Sequence, residues 1–230
     1  MANNLYERRK ALSVGRQDLN LSGNNRSERI PVCFLIDCSD SNDLILREIA
    51  HELGYLTDHI QRDLGLRSSV EIMVITYADK PQVLREFLPI QGEYHCVLKK
   101  KNVEEVSICL AMQEACNRVR RQKQIYRTRG VNYFQPTVFL FSSGRHEADT
   151  APLEAICKNN TRPGYMSLVS VTRSRDELFE RISSRGRVFS LHDVPIKELF
   201  RKIENSMEII SQSSGAAYET LMDAARECDL

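Results

Sequence analysis

Residues 29–41, RIPVCFLIDCSDS, combine the pattern of a buried strand with a cluster of oxygen-bearing side chains. A continuous apolar run over 32–36, bounded by polar residues, is typical of a central strand in a sheet. In an open parallel sheet, ligands bind beyond the carboxyl ends of such strands. Asp37, Ser39 and Ser41 would lie together at that edge, and a set of oxygen ligands suits a hard divalent cation.

Strand and helix patterns alternate along the rest of the chain. Further strands are predicted at 70–77, 137–141, 166–171 and 187–191, with an edge strand or hairpin partner at 82–90. Helices are predicted from 45 to a stop at Gly65, from 103 to about 126, at 151–158, after a capping box at 174–177, and from Pro195 onward. The alternation predicts an α/β fold, a Rossmann-like three-layer sandwich with a mostly parallel central sheet and helices on both faces.

The length of 230 residues suits one α/β domain with tails. We expect a flexible N-terminal arm at 1–28, the domain at 29–212 and a short C-terminal tail at 213–230. The hydrophobic content of 42% and the charged content of 27% are ordinary for a soluble globular protein.

The cysteine pattern and the N-terminal sequence bear on the compartment. Seven cysteines without a C-x-x-C pair predict neither a zinc site nor a disulfide framework. The first thirty residues contain no apolar signal-peptide core, and no apolar run is long enough to span a membrane. We therefore expect a cytoplasmic protein with no membrane partner.

Three segments together resemble a von Willebrand factor A domain over residues 29–212. They are the Asp-x-Ser-x-Ser order after the first strand, the strand ending VITYAD at 74–79, and FLFSSG at 139–144. The compact form, with a final helix that runs into a Ser-rich end, is most similar to the TerY-like proteins of bacterial tellurium-resistance and stress systems. The resemblance implies a metal-ion-dependent adhesion site at the strand tips, where a partner's carboxylate usually completes the coordination of the cation.

The sequence departs from the family's metal site in two of its three parts. Asp37, Ser39 and Ser41 match the first part, but the threonine of the second part falls near Val106, which offers no oxygen. The aspartate of the third part falls at Ser143. Because ligand charge sets the affinity for such ions, we expect a degenerate site at which Mg²⁺ or Mn²⁺ binds weakly or not at all.

Alternative interpretations of the same residues remain open. Asp37, Ser39 and Ser41 can instead cap the loop and the first helix through backbone N–H groups. Glu147 and Asp149 lie just beyond Ser143, and they would replace the missing carboxylate only through a bent loop.

The resemblance favours a non-enzymatic protein–protein interaction module in a bacterial stress-response or conflict pathway, such as tellurium resistance or phage defence. It implies a partner such as a kinase, a phosphatase or another product of a neighbouring gene. No catalytic residue is predicted, because Ser142 and Ser143 lack a G-x-S-x-G context and no Gly-rich phosphate loop is present. The predicted partner-binding residues are Asp37, Ser39, Ser41, Ser143, Arg145 and Glu147.

A set of basic residues supports a second hypothesis, a nucleic-acid-associated factor. A run over 118–129 contains no acid, and three lysines precede the same helix. Such a run can contact phosphates, dock an acidic protein partner, or simply form a solvated helix end. The residues are Lys99, Lys100, Lys101, Arg118, Arg120, Arg121, Lys123, Arg127 and Arg129.

Overall fold

The structure is a computed structural model that describes residues 28–39, 43–92, 94–173 and 176–212, without the side chain of Asp43. The predictions for Ser41, for the tail at 213–230 and for all of the N-terminal arm except Glu28 fall outside these residues. Within the described ranges, no helix is long and apolar enough to cross a membrane.

Six strands form one sheet in the order β3-β2-β1-β4-β5-β6. All neighbouring strands pair in parallel except β3, which runs antiparallel to β2 at one edge. The predicted mostly parallel sheet, with its central first strand and its edge strand, is confirmed. The strands are β1 (Ile30–Asp37), β2 (Val70–Tyr77), β3 (Pro81–Pro89), β4 (Thr137–Ser142), β5 (Ser167–Thr172) and β6 (Val188–Ser190).

Helices cover both faces of the sheet and enclose two apolar cores. One core contains side chains from α1, α2 and α6, and the other contains side chains from α3, α4 and α5. This arrangement is the predicted three-layer sandwich. The helices are α1 (Asp43–Arg62), α2 (Leu64–Ser69), α3 (Ile108–Thr128), α4 (Ala151–Asn160), α5 (Glu177–Ile182) and α6 (Ile196–Gln212), and a 3₁₀ turn spans Ser184–Gly186.

Strand β1 is apolar without alternation because both of its faces are buried. Phe34 points into the core beneath α1 and α6, whereas Cys33 and Leu35 point into the core beneath α3. The Phe34 ring stacks on Phe200 of α6 at a centroid distance of 5.6 Å. Both faces of a strand in the middle of a parallel sheet are buried, so every side chain of the run must be apolar.

Two predicted helix boundaries are wrong. Gly65 does not end a helix, because α1 stops at Arg62 and Asp63 caps the short α2 by accepting a hydrogen bond from Leu66 N at 2.8 Å. The second long helix begins at Ile108 and not at 103. The α5 helix is capped by Asp176, which accepts a hydrogen bond from Leu178 N, and the start of the predicted box at 174–175 lies outside the described residues.

Candidate functional site

The topology of the sheet places a crevice between the ends of β1 and β4. From β1 the chain continues to β2 on one side, and β4 joins the sheet on the other side, so the strand order reverses between them. Ligands of open α/β sheets bind at such a switch point, outside the carboxyl ends of the strands. Asp37 ends β1 and Ser142 ends β4. The crevice predicted from the sequence therefore exists, with an acid and serines at its base.

The carboxylate of Asp37 is the centre of a buried hydrogen-bonded cluster. Its Oδ1 atom accepts from the backbone N of Ser39 at 2.8 Å and from the Ser39 hydroxyl at 2.5 Å. Its Oδ2 atom accepts from the backbone N of Ser143 at 3.1 Å and from the Ser143 hydroxyl at 2.6 Å. We call Asp37, Ser39 and Ser143 the strand-tip cluster. Both carboxylate oxygens accept hydrogen bonds within the chain, and each accepts one from a backbone N–H group.

Arg145 ties the loop after β4 to the loop before α3. Its Nη2 atom donates to the carbonyls of Val103 and Glu104 at 3.3 and 2.5 Å. These hydrogen bonds link two loops that are about forty residues apart in the sequence. Most of the residue nevertheless remains exposed.

Glu147 caps the start of α3. Its Oε1 atom accepts from the Ser107 hydroxyl at 3.1 Å and from the backbone N of Cys109 at 2.9 Å. Ser107 was not among the predicted site residues, whereas its buried neighbour Val106 was aligned with the threonine of the resembled metal site. A serine directly before an apolar helical pattern is the usual N-cap signal and would have identified it.

Among the described residues, the strand tips offer a cation few charged ligands. The strand-tip cluster supplies one negative charge, and Arg173 lines the same cavity of about 20 Å³. Glu147 caps α3, and Asp149 accepts from Ala151 N at 3.0 Å at the start of α4, so both have other partners.

Two buried side chains beside the cluster, Cys38 and Tyr77, are not reactive groups. Burial, and after it the neighbouring Asp37 charge, raises the pKa of the Cys38 thiol to about 12. The thiol is therefore protonated at neutral pH and is a poor nucleophile. The Tyr77 hydroxyl donates to the carbonyl of Phe141 at 3.1 Å and joins the ends of β2 and β4.

The serines at the end of β4 are not paired with a histidine base. Ser142 accepts from Gly144 N at 3.1 Å, and Ser143 donates to Asp37. The nearest histidine in sequence, His146, instead directs Nδ1 at the carbonyl of Glu147 at 2.9 Å. A nucleophilic serine requires an adjacent general base in hydrogen-bond reach, and this arrangement does not supply one.

The predicted basic residues lie in two groups at opposite ends of the sheet. Lys101 N donates to the carbonyl of Cys38 at 2.8 Å, which places the lysines of 99–101 at the carboxyl ends of the strands. The last turn of α3 lies at the other end, where Tyr126 donates to Glu71 near the start of β2. A helix of 21 residues is about 31 Å long, so Arg127 and Arg129 lie far from the lysines, whereas Arg118, Arg120 and Arg121 lie about midway along α3.

Two members of the basic run have structural partners. Arg118 forms ion pairs with Glu86 and with Glu114, the latter at 2.7 Å. Lys123 is only 5% exposed and donates to the carbonyls of Gly164 and Tyr165, the second at 2.9 Å. The members of the run that are exposed are Arg120, Arg121, Arg127 and Arg129.

Comparison with known proteins gives the class of the fold. No protein-family model matches the sequence, and no curated protein matches it. A von Willebrand factor type A structure from Catenulispora acidiphila is 14% identical with a TM-score of 0.55, and the match covers 78% of this chain and 43% of that chain. Proximal thread matrix protein 1 from the mussel byssus is 16% identical with a TM-score of 0.49, over 81% of this chain and 46% of that chain.

The chain thus has the von Willebrand factor A fold, as its sequence predicts. It spans less than half the length of the solved structures that it matches. At these identities the likeness shows the fold alone, and fold does not define function.

Proposed function

We propose that the protein is a non-enzymatic protein-interaction module that binds its partner through the strand-tip surface, defined as the strand-tip cluster with the loops 99–106 and 142–149. One observation carries this proposal: side-chain hydrogen bonds hold these loops together in a fixed arrangement. Asp37 joins β1 to the loop after β4, Arg145 joins that loop to Glu104, and Glu147 joins it to Ser107. A preorganised surface loses little conformational entropy when it binds a partner.

The exposed side chains of this surface favour a polar partner. Lys99, Lys100, Glu104 and Glu105 are exposed, whereas Asp37 is only 5% exposed. The charged loops, and not the buried carboxylate, therefore make the first contact. Both carboxylate oxygens of Asp37 accept hydrogen bonds from serines, so binding through this surface proceeds without a metal ion. In this respect the proposed surface differs from a metal-dependent adhesion site.

The resemblance to TerY-like proteins supports a role in a bacterial stress-response or conflict pathway in the cytoplasm. It favours a kinase, a phosphatase or another product of a neighbouring gene as the partner. A second candidate, a nucleic-acid-associated factor, is supported by the four exposed arginines of 120–129. Those arginines lie toward the far end of α3 from the strand-tip surface, so the two candidates predict different interfaces.

The test is a binding measurement with purified products of the neighbouring genes. Calorimetry in the presence of EDTA would show a saturable complex with the wild type. Lys99→Glu/Lys100→Glu should weaken it tenfold or more, because the loop charges contact the partner. Lys158→Glu, which alters an exposed lysine in the last turn of α4, should leave the affinity unchanged. Equal binding by both variants, or a complex that EDTA abolishes, would contradict the proposal.

A further inference from the structure

A histidine and two glutamates meet where α1 packs against α6. His59 lies in the last turn of α1, and Glu204 and Glu208 lie one turn apart on α6. The Nδ1 atom of His59 is 2.9 Å from Glu204 Oε1, and its Nε2 atom is 2.8 Å from Glu208 Oε1. Residues four apart on a helix face the same side, so both carboxylates reach the imidazole.

The site is partly enclosed and rich in negative charge. The three side chains are between 29% and 38% exposed. The two carboxylates beside one imidazole carry like charges that repel each other, and a bound cation would relieve that repulsion.

We propose that His59, Glu204 and Glu208 form a binding site for a divalent transition metal ion, with zinc preferred, that links α1 to α6. The ligand atoms all lie within 4.8 Å of one another. Zinc binds imidazole nitrogen and carboxylate oxygen at about 2.0–2.2 Å. An ion on one ring nitrogen of His59 therefore requires the glutamate that faces the other nitrogen to rotate toward it, and water supplies the fourth ligand. The imidazole selects zinc, nickel or copper over Mg²⁺ and Ca²⁺, which prefer oxygen alone.

This site is independent of the strand-tip cluster. His59 lies 16 residues into α1, which begins beside the crevice, and this corresponds to about 24 Å along the helix. The metal would therefore act on the packing of two helices and not on the partner surface. Because both helices cover the same face of the sheet, the ion would crosslink residues 59 and 204–208 across the fold.

The first experiment uses Co²⁺ as a spectroscopic probe for zinc. The wild type should bind one equivalent and show the visible bands of a four-coordinate ion with nitrogen and oxygen ligands, without a thiolate charge-transfer band. Excess Zn²⁺ should displace it. This readout needs no variant, and it distinguishes the site from any site built from the free cysteines. A thiolate spectrum, or no bound cobalt at all, would overturn the proposal.

The second experiment locates the ion. Zinc at a hundredfold excess over Kd should raise Tm by about 5–10 °C in the wild type. Glu208→Gln should weaken zinc binding by tenfold or more, because it removes a charged ligand and keeps the side-chain shape. Glu198→Gln, an exposed position on the same helix, is the matched control and should bind as the wild type does. Equal zinc affinity in both variants would show that the cluster is only an imidazolium held between two carboxylates.

Discussion

The carboxylate of Asp37 accepts two hydrogen bonds from Ser143, a residue 106 positions later in the chain. The contact joins the end of β1 to the loop after β4, across the switch point of the sheet. In the metal site that the sequence resembles, an aspartate would stand at position 143. A second carboxylate there would repel Asp37 unless a cation lay between them, whereas a serine donates a hydrogen bond. This chain therefore closes its crevice with an internal hydrogen bond.

The first prediction concerns the strength of that contact. Ser143→Ala should lower the free energy of unfolding by about 2 kcal/mol, because it removes a hydrogen bond to a buried charged group. Urea unfolding measures the change. Ser68→Ala, which alters an exposed hydroxyl on α2, should change stability by less than about 0.5 kcal/mol. Similar small effects in both variants would show that Asp37 does not depend on Ser143.

The second prediction concerns metal binding at the strand tips. Calorimetric unfolding of the wild type should show no change in Tm with millimolar Mg²⁺ or Mn²⁺. Ser143→Asp should be less stable than the wild type without metal, because two carboxylates then share one site, and it should regain stability with Mn²⁺. Ser143→Asn is the uncharged control and should not respond to the ion. Clear stabilisation of the wild type by Mg²⁺ would contradict the interpretation that a site with a single carboxylate binds the ion weakly or not at all.

The sequence predicted the sheet better than the site. The apolar run of β1 required burial on both faces and therefore a central strand, and a local pattern is sufficient to establish this. The resemblance placed Ser39 and Ser143 in one site with Asp37, but the partners of Arg145 and Glu147 could not be predicted, because each lies across a loop whose path depends on the whole fold. The helix start at Ile108 was missed although Ser107, a residue type common at the N-cap, directly precedes it. The contact between Ser107 N and the Ala78 carbonyl, 29 residues away, has no local sequence signal.

The third prediction concerns Lys123. Burial, and after it the charge of Arg127, lowers its pKa from 10.5 to about 8 in the folded protein. Between these values the unfolded chain binds more protons than the folded one, so the Lys123 contribution to stability rises with pH through that window and is constant below about pH 8. Urea unfolding across the window should show this rise in the wild type but not in Lys123→Met.

The control for Lys123 is Lys158→Met, which removes an exposed lysine. It should retain the pH dependence of the wild type, because it leaves Lys123 and its surroundings unchanged. If Lys123→Met and the wild type show the same pH dependence, the ammonium of Lys123 is as well solvated in the folded protein as in the unfolded one.

The last prediction separates the two candidate functions. If the exposed arginines of α3 bind nucleic acid, several phosphate contacts should make the affinity fall steeply with salt. We expect instead that the wild type does not bind DNA or RNA saturably at about 150 mM salt, where surface charges are screened beyond ~8 Å. Fluorescence anisotropy with labelled single- and double-stranded probes measures this.

The informative variant is Arg120→Glu/Arg121→Glu/Arg127→Glu. It leaves Arg118 in place, because that residue pairs with Glu86 and Glu114 and its loss would disturb the fold. Lys99→Glu/Lys100→Glu reverses two charges near the start of α3, against three in the arginine variant, and serves as its counterpart. The arginine variant should keep the protein partner, whereas the lysine variant should lose it. Submicromolar, salt-sensitive RNA or DNA binding by the wild type that only the arginine variant loses would instead establish the nucleic-acid function.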